Sequence, residues 1–333
     1  MKIGILGAGT WGCALALLLA NNKHEVTLWS AIGQEIDELQ TTRIPRNLPD
    51  SLMPENIRYT KEISDATDSE LVIFVVPSAF IRSTARAAVP YLKDGALIAC
   101  ASKGIEPHTL FTMTEIIEDV INEINPTLKY ESVALSGPTH AEEVAKGLPT
   151  SIVAASEKEE TALRIAEVFS STCLRAYANT DVKGVELCGA LKNIIAIAAG
   201  ANRGMGFGDN STAMLITRGM AEITRMGLAM GCKVSTFMGL AGIGDLIVTA
   251  TSRHSRNNRC GELIGKGYTY EQAKDEIGMV VEGYYALEAA IALSEKYDVE
   301  MPITRAVYNC IKLGKNPKKA MIELMTRELK VEG

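Results

Sequence analysis

This sequence lacks closely spaced metal ligands and closely spaced cysteines. Its seven cysteines are an odd number, and no two of them form a C-x-x-C pair. Its four histidines, at positions 24, 108, 140 and 254, lie far apart. Structural zinc sites and disulfide frameworks both need ligands or partners at characteristic spacings. The sequence therefore predicts reduced thiols and no bound metal. It also shows no Ser/His/Asp or Cys/His pattern for nucleophilic catalysis.

An excess of positive charge is also missing, since the formal net charge is -6. We therefore expect no binding to nucleic acid. A strand-like pattern begins at residue 2, so we expect no signal or transit peptide before it. We find no apolar run that is long enough and free enough of charge to span a bilayer. These absences predict a cytoplasmic globular protein without membrane insertion.

Residues 7–12 (GAGTWG) carry the first strong pattern. They follow a short apolar run at residues 2–6 and precede a longer apolar run at residues 13–20. Strand, G-x-G-x-x-G turn and helix in this order form a dinucleotide-binding fingerprint. Gly7 permits the tight turn, Gly9 lets the backbone approach a pyrophosphate, and Gly12 lets the helix pack on the strand. The alternative is a glycine turn in an ordinary α/β domain.

The distribution of apolar runs predicts the architecture. Strand-like runs follow at residues 25–29, 71–76, 96–101, 133–135, 150–155 and 174–178. Their alternation with helical patterns predicts a Rossmann-like, doubly wound and mainly parallel sheet. From about residue 181 the patterns are helical, at residues 185–201, 212–230, 282–296 and 303–313. We expect a dinucleotide-binding domain over residues 1–188 and an all-helical substrate-binding domain over residues 189–333, joined by one long helix.

The residue after the second predicted strand bears on the choice of cofactor. An acidic residue at this position favours NAD, and a nearby arginine favours NADP. This chain has Ser30 and Ala31 instead. The Ser30 hydroxyl can bond either a 2′-hydroxyl or a 2′-phosphate, so the pattern favours neither cofactor.

Lys192 is unusual because it lies inside the most apolar helical pattern of the chain. Burial of an ammonium group is costly unless the group is paired or its pKa falls. A lysine in such a place can exchange a proton near neutral pH. The alternative is a lysine whose side chain reaches from one helix edge to water.

Two later segments combine charge with small residues. Asp245 is the only charged residue in residues 240–246 (LAGIGDL), where it is either a functional carboxylate or a turn residue. Residues 252–259 (SRHSRNNR) offer arginine, hydroxyl and amide groups that suit a phosphate. A solvated basic face is the alternative for this second segment.

Taken together, these segments resemble the bacterial type of NAD(P)-dependent glycerol-3-phosphate dehydrogenase. The similar segments occur in the family's order and cover nearly the whole chain. They are residues 7–12 (GAGTWG), 102–106 (SKGIE), 136–139 (SGPT), 191–193 (LKN), 242–245 (GIGD), 255–257 (SRN) and 280–283 (VVEG). The resemblance implies an oxidoreductase that interconverts sn-glycerol 3-phosphate and dihydroxyacetone phosphate by hydride transfer with NAD or NADP. It also implies a role in supplying glycerol 3-phosphate for phospholipid synthesis.

The resemblance further implies a role for each matching residue. The catalytic residues implied are Lys192 as proton acceptor, Lys103 and Asp245. The cofactor-binding residues implied are Gly7, Gly9, Thr10, Trp11, Gly12, Ser30, Lys103, Ala141, Arg256, Val280 and Glu282. The substrate-binding residues implied are Lys103, Gly137, Thr139, Lys192, Asp245, Ser255, Arg256 and Asn257. Many members carry a basic residue where this chain has Ser30 and Ala31. The resemblance implies a mild preference for NADPH all the same.

Two other functions stay open from the sequence. One is a related hydroxyacid or 6-phosphogluconate-type dehydrogenase, which also combines a Rossmann-like domain with a lysine. The other is a non-catalytic dinucleotide-binding sensor, which would not need Lys103, Lys192 and Asp245 together. The expected partner is a small phosphorylated substrate. The oligomeric state is open, with a homodimer as one candidate.

Overall fold

The computed structural model describes residues 1–329 and residue 331, and these form eight strands and sixteen α-helices. The strands are β1 (Lys2–Leu6), β2 (Glu25–Trp29), β3 (Ile57–Thr60), β4 (Leu71–Phe74), β5 (Ala96–Cys100), β6 (Tyr130–Ser136), β7 (Thr150–Ala155) and β8 (Leu174–Asn179). The helices are α1 (Thr10–Asn21), α2 (Gly33–Thr42), α3 (Ile63–Thr67), α4 (Ile81–Ala88), α5 (Met113–Ile124), α6 (Ala141–Ala145), α7 (Glu159–Phe169), α8 (Val182–Gly204), α9 (Asp209–Ala229), α10 (Val234–Phe237), α11 (Asp245–Thr251), α12 (Arg256–Gly265), α13 (Tyr270–Ile277), α14 (Glu282–Lys296), α15 (Pro302–Lys312) and α16 (Pro317–Met325). Short 3₁₀ helices occupy Ser78–Phe80 and Val89–Tyr91, and a π-helical turn occupies Leu240–Gly244.

All eight strands form one sheet in the order β3-β2-β1-β4-β5-β6-β7-β8. Neighbouring strands run parallel except β6 and β7, which are antiparallel. The Rossmann-like, doubly wound and mainly parallel sheet is therefore confirmed. The strand order reverses between β1 and β4. In such sheets ligands bind outside the carboxyl ends of the strands at this reversal.

The central strands are apolar on both faces because helices cover both sides of the sheet. Every residue of β4 and β5 is buried, which explains why these two runs do not alternate. The strand β3 (Ile57–Thr60) was not predicted, since its sequence IRYT gives only four residues of alternation. The six predicted later strands all occur, with ends that differ by up to three residues.

Helix α8 forms the centre of the all-helical part, and the four predicted long helices are confirmed. Its contact with α12 is close enough to bring the two backbones together. A Cβ atom at Gly200 would lie 1.9 Å from the carbonyl oxygen of Asn258, and one at Gly261 would lie 2.0 Å from that of Ile197. Glycine is therefore required at both positions. The shorter helices α10 to α13 and α16 were not predicted.

The domain boundary predicted between residues 188 and 189 lies inside α8. The division of the chain into residues 1–188 and 189–333 stays a prediction. Residues 330, 332 and 333 of the predicted second domain lie outside the described residues.

Two segments are long and apolar enough to cross a membrane. The expectation that the chain has no such segment was therefore wrong. They are Val182–Gly204, whose apolar window is 94% buried inside the protein, and Val234–Thr251, whose window is 44% buried. The first segment is α8, and its apolar character follows from its place in the protein core. The core helix of a globular protein passes the same test of length and composition.

We expect Gly200→Ala to destabilise the protein. The added methyl group would push α8 and α12 apart, and overpacking of this kind costs about 1–3 kcal/mol or more. Gly33→Ala is the matched control, because a Cβ at Gly33 meets only the flexible Lys61 side chain, at 3.5 Å. Urea unfolding followed by circular dichroism measures both. An unchanged midpoint for Gly200→Ala would contradict the close packing of these helices.

Candidate active site

The predicted site residues come together at the carboxyl ends of the parallel strands. The glycine turn follows β1, Lys103 follows β5 and Gly137 follows β6, and the loop after β4 adds Ser78, which was not among the predicted residues. Helices α8, α11, α12 and α14 of the all-helical part supply Lys192, Asp245, Arg256 and Glu282 respectively. The candidate site is therefore a cleft between the sheet and the all-helical part.

The glycine turn has the geometry of an anion site. Gly7 has a φ of +129°, and a Cβ at Gly12 would lie 1.9 Å from the carbonyl oxygen of Gly7. Gly9 lies just before α1, and apart from its two chain neighbours no described residue comes within 4 Å of where its Cβ would be. The hydroxyl of Thr10 is buried and has no hydrogen-bond partner among the described residues. An open backbone, an unpaired hydroxyl and a helix start fit the pyrophosphate of a dinucleotide.

A carboxylate between two lysines forms the centre of the cleft. Asp245 Oδ2 accepts a hydrogen bond from Lys103 Nζ at 2.6 Å, and Asp245 Oδ1 accepts one from Lys192 Nζ. Asp245 is 1% exposed and Lys192 is 6% exposed. The lysine therefore does not reach water, and the alternative of a surface-reaching side chain is excluded by the structure. We call these three residues the Lys–Asp–Lys centre.

Close backbone packing brings the three residues of this centre together. Lys103 passes over Gly189, one turn before Lys192 in α8, where a Cβ would lie 3.3 Å from Lys103 Cγ. Gly242 permits the turn before Asp245, because a Cβ there would lie 2.1 Å from the carbonyl oxygen of Phe237. The small residues of the predicted segments thus have a positional role. They let charged side chains from distant parts of the chain meet.

Two hydroxyl residues that contact the Lys–Asp–Lys centre were not predicted. Lys192 Nζ also donates to Thr249 Oγ1 at 2.7 Å, and Thr249 donates to the carbonyl oxygen of Asp245 at 2.6 Å. Ser136 Oγ lies 3.4 Å from Asp245 Oδ2. Thr249 follows Asp245 by four residues, so recognition of α11 in the sequence would have placed both on one helix face. Ser136 precedes the predicted Gly137.

Burial and the charges of the neighbouring side chains shift the pKa values of Lys192 and Asp245 within this centre. Burial chiefly, and the charge of Lys103 in addition, lower the pKa of Lys192 from 10.5 to about 7, although Asp245 opposes the change. For Asp245, burial favours the neutral acid, but the two lysines outweigh it and hold the pKa of this carboxyl below its usual value. Lys192 can therefore both accept and release a proton near neutral pH, beside a carboxylate that stays ionised.

A second group of predicted residues surrounds the start of α12. Arg256 is half-buried there, and its guanidinium makes no hydrogen bond or salt bridge within the part of the chain that the structure describes. The Ser255 hydroxyl caps the helix by accepting from Asn258 N at 3.2 Å. Asn257 donates to Asn193 Oδ1 at 3.0 Å and accepts from Gly283 N at 2.9 Å. Arginine and a helix start together suit an anion, whereas Ser255 and Asn257 also hold the helices in place.

Glu282 bridges the cleft. Its carboxylate accepts from Ser78 Oγ at 2.5 Å and from Ser78 N at 3.2 Å, which joins the start of α14 to the loop after β4. Burial raises the pKa of Glu282, and nearby Arg256 partly offsets this. Val280 lies two residues before α14, beside this bridge. The partner Ser78 was not predicted.

The remaining predicted residues lie along the sheet edge. Gly137 has a φ of +146° and its carbonyl oxygen accepts from Lys103 Nζ at 3.3 Å and from Thr139 Oγ1 at 3.1 Å. Ala141 begins α6, and Trp11 lies in the first turn of α1. At the end of β2, the Ser30 hydroxyl is already engaged with Glu35, which the sequence analysis did not single out.

Two family models match this chain. The model of the NAD-dependent glycerol-3-phosphate dehydrogenase N-terminus matches residues 2–162, and the model of the C-terminus of the same enzyme matches residues 181–322. The two matched regions together cover most of the chain.

Relatives and solved structures with the same name are similar over nearly their whole length. A glycerol-3-phosphate dehydrogenase, NAD(P)+, of Lactobacillus delbrueckii subsp. bulgaricus is 54% identical over 99% of this chain and 98% of its own. A glycerol-3-phosphate dehydrogenase, NAD(P)+, of Agathobacter rectalis is 46% identical over 99% of this chain and 97% of its own. The crystal structure of glycerol-3-phosphate dehydrogenase from Coxiella burnetii has a TM-score of 0.91 at 35% identity, covering 98% of this chain and 99% of that one.

Proposed function

Because this chain belongs to the NAD-dependent glycerol-3-phosphate dehydrogenase family, we propose that its Lys–Asp–Lys centre is where the family's reaction takes place. The chain is an oxidoreductase that interconverts sn-glycerol 3-phosphate and dihydroxyacetone phosphate with NAD or NADP. The observation that carries the proposal is the buried pair of Lys192 and Asp245, because it provides a proton acceptor beside a fixed negative charge.

The glycine turn and its surroundings would hold the cofactor. Gly7, Gly9 and Gly12 shape the backbone for a pyrophosphate, and Thr10 offers an unpaired hydroxyl within the described residues. Trp11, Ala141, Val280 and Glu282 would line the remainder of this site, with Glu282 holding the loop after β4 in place through Ser78. The bound nicotinamide supplies or takes up the hydride.

Lys192 would move the substrate proton. In the direction of oxidation, its neutral amine accepts the proton of the C2 hydroxyl as the C2–H bond breaks. In reduction, its ammonium returns that proton to the oxygen of the former carbonyl. Asp245 keeps Lys192 in place, and Lys103, held by the carbonyl oxygen of Gly137, offers a positive charge to the developing oxyanion.

The start of α12 would bind the phosphate of the substrate. The Arg256 guanidinium can form two parallel hydrogen bonds to one phosphate. Ser255 and Asn257 would complete the site with the donor hydrogens that their structural bonds leave available. Gly137 and Thr139 would line the rest of the substrate pocket. Fixing the phosphate in this way positions C2 against the proton acceptor.

The pH dependence should differ in sign between the two directions. Because the pKa of Lys192 lies near 7, oxidation of glycerol 3-phosphate should rise with pH below about 7 and level off above it. Reduction of dihydroxyacetone phosphate needs the ammonium form and should fall above about 7. Measurement of kcat/KM from pH 5.5 to 9 in both directions checks this, and two profiles of the same sign would contradict it.

The direct test of function is the loss of reduced-nicotinamide absorbance with dihydroxyacetone phosphate. NADH and NADPH are run in parallel, and carboxylate substrates serve as the comparison. Turnover that needs the phosphorylated ketone supports the proposal. Faster turnover of a hydroxyacid or of 6-phosphogluconate would favour the related dehydrogenases. Tight cofactor binding without any turnover would favour a sensor.

Several finer features remain proposals. Supply of glycerol 3-phosphate for phospholipid synthesis, a cytoplasmic location and a homodimer all rest on the family resemblance and on composition. The same holds for the mild preference for NADPH. By residue type alone, Ser30 at the end of β2 excludes neither cofactor, since it is neither acidic nor basic.

A further inference from the structure

We propose that Glu35 makes this chain favour NADH over NADPH. The inference rests on the proposed cofactor site and replaces the mild NADPH preference that the resemblance implies. Glu35 lies in the first turn of α2, directly after the end of β2. In doubly wound sheets this edge holds the ribose of the adenosine half, and an acidic side chain there bonds the 2′-hydroxyl. Glu35 lies five residues beyond Ser30. In the sequence pattern for cofactor choice, the residue that matters is the one at the position of Ser30.

The structure brings this carboxylate back to the end of the strand. Ser30 is 5% exposed, and its hydroxyl donates to Glu35 Oε2 at 2.6 Å. The same hydroxyl accepts from Ile32 N at 3.1 Å. The single proton of Ser30 is therefore committed to Glu35 and is not available to a 2′-phosphate. Ser30 thus acts as the group that orients the carboxylate.

The second oxygen of Glu35 stays available as an acceptor. Glu35 Oε1 accepts no hydrogen bond within the part of the chain that the structure describes. A ribose hydroxyl can donate to it, whereas a 2′-phosphate is mainly a dianion at pH 7 and would face a like charge. The carboxylate also acts on the start of α1. Burial chiefly, and Glu35 in addition, raise the pKa of Cys13 to about 12.

No net positive charge compensates at this end of the cleft. Residues 33–62 contain six acidic and four basic residues. The basic ones already have acidic neighbours: Lys61 pairs with Asp37 at 2.6 Å, Arg46 with Glu38 at 2.6 Å, Arg43 with Glu55 at 2.9 Å and Arg58 with Asp65 at 2.7 Å. A 2′-phosphate would therefore have to draw one of these side chains away from its carboxylate.

We expect the parent protein to bind NADH between about tenfold and a hundredfold more tightly than NADPH. Nucleotide fluorescence titrations without substrate give both dissociation constants, and kcat/KM for each cofactor is measured separately. Glu35→Gln keeps an acceptor for Ser30 but removes the charge. It should lower the NADH to NADPH binding ratio at least tenfold, mainly through tighter NADPH binding. Glu35→Asp keeps the charge and should keep the preference for NADH.

Glu62→Gln is the control, since Glu62 lies in the same acidic range, is exposed, and pairs with none of these four basic side chains. Its binding ratio should stay within twofold of the parent. Thermal unfolding without nucleotide verifies that each variant folds. A parent that binds NADPH as tightly as NADH, or a folded Glu35→Gln with an unchanged ratio, overturns this inference alone. Failure of the parent to bind either nucleotide overturns the proposed function, and this inference with it.

Discussion

Replacement of Lys192 by methionine is expected to lower turnover by about 10²- to 10⁴-fold, which is the usual contribution of a positioned acid or base. Methionine keeps the length and apolar character of the side chain in the buried helix α8. Asp245 would still be paired with Lys103 at 2.6 Å, so its charge would not be left alone in the interior. The fold and cofactor binding should therefore survive, and only proton transfer should be lost.

The comparison variants sharpen this expectation. Lys192→Arg should rescue poorly, because a guanidinium does not readily give up a proton. Lys183→Met is the matched control, since Lys183 lies on the same helix but pairs with Glu115 near the surface, at 2.9 Å. Steady-state turnover and cofactor titration are measured for all three variants. A folded Lys192→Met within tenfold of the parent would refute the role of Lys192 in proton transfer.

Loss of Arg256 should weaken phosphate-dependent binding by about 2–5 kcal/mol, if the phosphate is buried against this guanidinium. Within the described residues Arg256 makes no hydrogen bond or salt bridge, so its substitution should cost little in folding. Arg256→Lys should keep only part of the phosphate-dependent binding, since an ammonium group cannot form the two parallel hydrogen bonds. Arg259→Ala is the control, because Arg259 lies exposed one turn further along α12.

The substrate dependence separates phosphate binding from other roles of Arg256. The variant should lose kcat/KM for dihydroxyacetone phosphate but change little with dihydroxyacetone, which has no phosphate. Equal losses for the two substrates would assign Arg256 to the cofactor or to the fold. If Arg256→Ala handles dihydroxyacetone phosphate as well as the parent does, the phosphate binds elsewhere.

The parts that could be predicted from the sequence are those in which neighbouring residues carry the whole signal. Residues 2–20 combine strand, glycine turn and helix in one segment, and the structure has all three there. The four long helices were predicted for the same reason, since apolar periodicity over many residues leaves few alternatives. Short elements such as β3 and α11 were missed because four to seven residues do not establish a period.

The candidate site depends on contacts between distant residues, which residue patterns alone do not supply. The position of Lys192 in an apolar helix left open whether its side chain reached water. Asp245 lies 53 residues further along the chain and accepts a hydrogen bond from Lys192, so the ammonium group is paired where it is buried. Lys103 is 142 residues from the same carboxylate, and only the family resemblance linked them beforehand. Glu35 was overlooked because the cofactor pattern concerns only the residue at the end of β2. Glu35 lies in α2, and only the fold places its carboxylate beside that residue.

The most direct test of the central claim is the rate of the first turnover as a function of pH, in the parent and in Lys192→Met. Each protein is mixed with saturating glycerol 3-phosphate and oxidised cofactor, and the appearance of reduced nicotinamide is followed by stopped flow. The parent rate should rise with pH to a plateau, with an apparent pKa near 7. Lys192→Met should be slow at every pH and should lack this rise. A Lys192→Met protein that shows the same rise, or a rate within tenfold of the parent, would contradict proton transfer by Lys192.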